Sequence, residues 1–124
     1  MRRGFTLIEL IMVIVILGVL AAAALPRFFE LSSRATESAA RGALGTVRAA
    51  VAIRYAGNVA AGNPKMPSTI EASMFPDGKI PVEPFSKSNA VTLAGDPPAK
   101  KGAGWRYDSA NGRVWINNVD YSDY

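Results

Sequence analysis

The chain contains no cysteine and no histidine. The first absence excludes disulfide staples; the two together exclude Cys/His metal sites and chemistry run through a thiol or an imidazole. Aromatic residues make up only 9% of the chain, and after residue 26 large aliphatic residues are thinly scattered among Ala, Gly, Pro and Ser. The C-terminal part therefore has a small core, one that leans on a helix or on other subunits for burial. No nucleophile–base pair, glycine-rich phosphate loop or ligand cluster is present, so neither an enzyme nor a cofactor is expected.

A strong charge of one sign is missing as well. The formal charge is +4 over 124 residues, but without Arg2 and Arg3 twelve basic residues face ten acids. From Gly57 onward seven bases meet seven acids. The sequence pI of 9.7 is thus no argument for nucleic-acid binding, because the pair Lys100–Lys101 is the only basic cluster there. No nucleic-acid partner is expected.

What the sequence does have is concentrated at its start, MRRGFTLIELIMVIVILGVLAAAAL. Leu7 to Leu25 carries no charge except Glu9. As an α-helix it would span about 28 Å, close to the roughly 30 Å hydrocarbon core of a bilayer. Arg2 and Arg3 in front of it favour a cytoplasmic N-terminus, which would place everything beyond Pro26 outside the cytoplasm. A conventional secretory signal has the same outline, with Leu10–Leu20 as its apolar region and Ala21–Ala24 as a cleavage site. On that reading the product is a secreted soluble domain. Glu9 argues against it, since an acid at membrane depth is costly and calls for a partner.

The stretch RRGFTLIEL, the apolar run behind it and Pro26 resemble the N-terminus of type IV pilins and type II secretion pseudopilins. The likeness covers roughly Arg2 to Phe29. It implies a leader of residues 1–4, cut between Gly4 and Phe5 by a prepilin peptidase that then N-methylates the new Phe5 amine. It further implies that Glu9 pairs with the Phe5 amine of a neighbouring subunit. The implied product is a helical homopolymer, extracellular or periplasmic, built from a precursor held in the inner membrane and delivered through an inner-membrane assembly platform. A pilus subunit is the first expectation, and a major or minor secretion pseudopilin the alternative.

The expected fold is α+β: a long N-terminal α-helix packed against a small antiparallel β-sheet head. Its hydrophobic half, 5–26, would be transmembrane or filament core, and its amphipathic half would cover 27–56. Pro26 should kink the helix, or the stretch from Gly18 to Pro26 should melt locally. Beyond it, Ala40, Leu44, Val47, Val51 and Tyr55 recur on one face. Glu30–Arg34 and Glu37–Arg41 form i,i+4 pairs, the mark of a solvated, self-paired face; Arg48 has no such partner, and a sharper alternative has it meet an acid on another subunit or on the head. Small residues, Gly42 and Gly45 among them, would let the sheet or neighbouring helices approach.

The helix should stop at Gly57-Asn58, opening a loop-rich head over 57–124. Residues 61–98 hold seven of the eight prolines, with extended pieces expected at Lys79–Val82 and Ala90–Leu93. GWRYD and GRVWINN alternate across a turn signal at Asn111-Gly112, predicting a hairpin with Trp105 and Tyr107 on one face of its first strand and Val114 and Ile116 on one face of its second. In the tail, Asp120 and Asp123 are weak candidates for calcium, too few for a six- to eight-oxygen site.

Overall fold

The computed structural model describes residues 3–124, so Met1 and Arg2, half of the expected leader, lie outside the described residues. One helix, α1, runs from Leu7 to Ala60. It is followed by β1 (Val91–Leu93), β2 (Trp105–Asp108) and β3 (Arg113–Ile116). The architecture is α+β, and the chain divides into two compact units, Met1–Ala35 and Thr36–Tyr124.

In the first unit every described residue is exposed. From Leu10 to Leu20 the helix is apolar on all sides, which in water leaves no face to solvate and suits a buried or membrane setting. The helix is unbroken at Gly18 and Pro26 in this single chain. Pro26 removes one hydrogen bond, the one its missing N–H would give the Ala22 carbonyl, and the ladder resumes on both sides. One turn on, Arg34 Nη2 lies 2.7 Å from Glu30 Oε1, the first of the two expected ion pairs.

The second unit is a packed body. Ala40, Leu44, Val47, Ala50 and Val51 of α1 are buried, the 3–4 spacing of a single helical stripe. They meet Ile70, Phe75, Trp105, Tyr107, Val114 and Ile116 in one core. Tyr55, expected on the same stripe, is only half-buried. Gly42 and Gly45 are exposed, and a Cβ built on either would meet nothing within 4 Å. They do not serve the approach of the sheet.

The sheet has the order β1-β2-β3 and is mixed rather than antiparallel. β2 and β3 form the expected antiparallel hairpin, with Tyr107 opposite Val114 and Trp105 opposite Ile116. β1 runs parallel to β2, Val91 opposite Trp105. The link 94–104 is long enough to carry the chain back to the end where β1 began, which a tight turn cannot do. The expected extended piece at Lys79–Val82 forms no strand; a lone bridge joins Glu83 and Ser88 instead.

The helix also outlasts its expected stop. Gly57 and Asn58 remain helical, and the end comes at Ala60. Gly62 then adopts φ +79°, its N–H bonding the Val59 carbonyl while the Asn63 N–H bonds that of Asn58. This is the Schellman pattern, in which a left-handed glycine lets the orphan carbonyls of the last turn find donors.

The proline-rich loop is held by buried polar groups. Trp105 Nε1 donates to the Pro81 carbonyl at 2.7 Å, and Tyr107 Oη to the Pro67 carbonyl at 2.7 Å. Glu83 is almost fully buried, its carboxylate accepting the N–H groups of Phe85 (2.6 Å) and Ser86 (2.7 Å). The Ser86 hydroxyl donates to Glu83 and accepts from the Gly104 N–H. Burial of a carboxylate is tolerable only when its oxygens are satisfied in this way. Among the described residues Arg48 meets no side-chain carboxylate on the head: its Nε and Nη2 reach the Val114 carbonyl at 3.2 and 2.9 Å, and Nη2 reaches the Tyr124 backbone oxygen at 2.5 Å. It clamps the helix to the edge strand β3, and burial holds its guanidinium below its ordinary value.

Candidate assembly site

The N-terminal site is built from the residues where the coil becomes a helix. Gly4 and Phe5 lie outside regular structure, and Phe5 is 95% exposed. A Cβ on Gly4 would meet nothing within 4 Å. The Gly4–Phe5 peptide bond is therefore open to an approaching group, with no side chain on its acyl side.

Thr6 ends the coil and caps the helix. Its backbone N–H and its hydroxyl each donate to Glu9 Oε2 at 2.8 Å, while the Glu9 N–H donates back to Thr6 Oγ1 at 3.3 Å. This reciprocal arrangement is a capping box, Thr at the N-cap and Glu three residues on. It satisfies otherwise orphan donors and sets a carboxylate against the positive end of the helix. Thr6 is the residue that the sequence reading passed over, although Thr6-Leu7-Ile8-Glu9 carries the T-x-x-E signal. Glu9 Oε1 makes no hydrogen bond among the described residues. One oxygen is thus engaged within the chain, and the other is available.

Behind Glu9 the large side chains of the apolar rod are exposed Leu, Ile, Val and Met, Ile11 being the least exposed of them at 41%. This is the one helix among the described residues long and apolar enough to cross a membrane. Pro26 sits inside α1, far along the same rod.

The two tail carboxylates have different surroundings. Asp120 Oδ2 lies 2.6 Å from Lys101 Nζ, and that hydrogen-bonded carboxylate holds the ammonium above its ordinary value. Asp123 lines a groove with Arg41, Leu44, Gly45, Arg48 and Tyr124. Among the described residues no group of three or more acidic side chains converges.

Comparison with known proteins points to the same end of the chain. The prokaryotic N-terminal methylation motif matches residues 1–25. Over 51 residues the chain is 49% identical to the type IV narrow pilus major component PilA5 of Thermus thermophilus, covering 41% of this chain and 44% of that one. Over 40 residues it is 50% identical to the type IV major pilin protein PilA of Myxococcus xanthus, covering 32% of this chain and 18% of that one. The aligned part thus spans less than half the length of either relative. No solved structure matches the chain.

Proposed function

We propose that this chain, pilin-like in its N-terminal segment, is a structural subunit of a helical filament of the type IV pilus kind. The observation that carries the reading is the rod Leu7–Leu25, apolar on every side, exposed, and bearing a single charge at its head. Such a surface is stable only in lipid or against copies of itself, and a filament subunit needs both in turn.

The processing step supplies the missing charge. A prepilin peptidase hydrolyses the Gly4–Phe5 bond, leaving a carboxylate on Gly4 and an amine on Phe5, which the same enzyme methylates. The precursor waits in the inner membrane and an assembly platform adds it to the growing filament. An unpaired carboxylate in an apolar setting costs several kcal/mol, whereas a hydrogen-bonded ion pair is tolerable. Thr6 holds one Glu9 oxygen in place, and the other receives the Phe5 amine of the neighbouring subunit. Pro26 provides a point at which the rod bends as subunits pack. Both relatives are named as pilus components, which supports a pilus over a secretion pseudopilus.

The test is N-terminal mass analysis of filaments sheared from the cell surface. N-methylated Phe5 as the first residue of an abundant filament is the expected result. A mature protein beginning near Leu25 would overturn the proposal in favour of a secreted domain.

A further inference from the structure

Two ion pairs on α1 have the same chemistry, spacing and length. Glu30–Arg34 measures 2.7 Å and Glu37–Arg41 2.8 Å. The first stands in open solvent; the second is contacted by the tail, its side chains staying partly exposed. Tyr124 Oη donates to Glu37 Oε1 at 2.6 Å, the same oxygen that accepts from Arg41 Nη2. The Arg41 guanidinium lies 4.5 Å above the centre of the Tyr124 ring, and Arg48 Nη2 takes the Tyr124 carbonyl. Three groups on one side of the helix, Glu37, Arg41 and Arg48, thus grip one residue.

The other side of the tail is equally tied. Tyr121 stacks on Phe85, ring centres 3.8 Å apart and planes 7° off parallel, and Asp120 is paired with Lys101. Tyr124 in turn lies 5.7 Å from Tyr121. The segment 119–124 therefore bridges the helix and the proline-rich loop. Its helix end meets α1 where burial starts: all described residues up to Ala35 are exposed, Thr36 and Glu37 are half-buried, and Ala40 is the first in the core.

We infer that the segment 119–124 is a strap that sets where α1 first gains tertiary support. Solvent-exposed helical hydrogen bonds open at low free energy, and an i,i+4 pair on its own holds them weakly. With Tyr124 in place, the helix is protected from Glu37 onward; without it, the protected part begins further along, near Leu44. The inference concerns the second unit alone and does not depend on the filament reading.

Hydrogen exchange followed by mass spectrometry on the full chain in detergent micelles tests it. In Tyr124→Ala, protection of amides 37–43 should fall by about tenfold or more while that of 44–56 stays near wild type. Tyr124→Phe keeps the ring and the carbonyl but not the bond to Glu37, and should give a smaller loss in the same window. Unchanged protection over 37–43 in Tyr124→Ala would overturn the inference. If that variant loses protection across 44–56 and the strands as well, Tyr124→Phe decides: a loss confined to 37–43 supports the strap, and no change or an even loss refutes it.

Discussion

The two halves of α1 show what a helix does with and without a partner. In the first unit, Leu10, Ile14 and Leu17 are 61%, 57% and 58% exposed, and neighbouring residues on every side are just as apolar. In the second, Leu44 and Val47 are 2% and 0% exposed, while Arg41, Arg48 and Arg54 occupy other faces. Both stretches are strongly helical, and only the second has the alternation that selects one face for burial. A helix that is apolar all round must find its partner outside the chain, whereas an amphipathic one finds it in the sheet. On the function proposed above, the difference separates a region that serves assembly from one that folds.

Mutations should divide along the same line. The largest effect is expected at Glu9. Glu9→Ala should be cut and methylated normally yet fail to enter filaments, with the melting of the second unit unchanged; normal filament yield would break the pairing model. Gly104→Ala is the opposite case. At φ +71° its Cβ would lie 2.2 Å from the Ala90 oxygen, an atom already bound to the Trp105 N–H. A loss of about 2–4 kcal/mol is expected, read as a lowered melting temperature with cleavage after Gly4 unaffected.

Smaller effects sharpen the picture of the second unit. The Ala110 N–H and then the Asn111 side chain hydrogen-bond to Asp108 and hold its carboxyl below the usual carboxylate range. The contribution is full above the ordinary carboxylate value and is lost as pH falls through the lowered folded value. Acid titration of stability should therefore show a component below about pH 4 that disappears in Asp108→Asn. Lys87, the one non-glycine residue at positive φ (53°) among the described residues, offers the smallest change. Lys87→Gly should raise stability by at most about 1 kcal/mol, and a clear loss would mean that its side chain contributes more than its backbone strain costs.

Much of this was legible beforehand because the signals are local. The 3–4 stripe at Ala40, Leu44, Val47 and Val51, the i,i+4 ion pairs and the hairpin around Asn111-Gly112 each depend on neighbours a few residues away. The details that escaped rest on backbone groups or on distant residues. Asn58 stays helical because Gly62, four residues on, supplies the left-handed turn. Glu83 reads as one surface acid among several and is instead the buried centre of a loop, its partners being the Phe85 and Ser86 N–H groups and the Ser86 hydroxyl, and backbone donors carry no side-chain signature. Arg48 lacks an acid in its own helix, and nothing nearby marks the Val114 and Tyr124 carbonyls as its partners.

The sequence by itself determined where the apolar rod lies, that Glu9 is the single charge on it, and which residues of the hairpin turn inward. Periodicity, hydrophobic length and turn chemistry are properties of consecutive residues, and they need no knowledge of the rest of the chain. Only the tertiary structure decided that β1 runs parallel to β2, that the indole and phenol of the hairpin hold the proline-rich loop, and that Tyr124 closes over Glu37 and Arg41. Those outcomes join groups as many as 87 positions apart, and a hydrogen bond across such a distance is set by packing geometry, which no local pattern encodes.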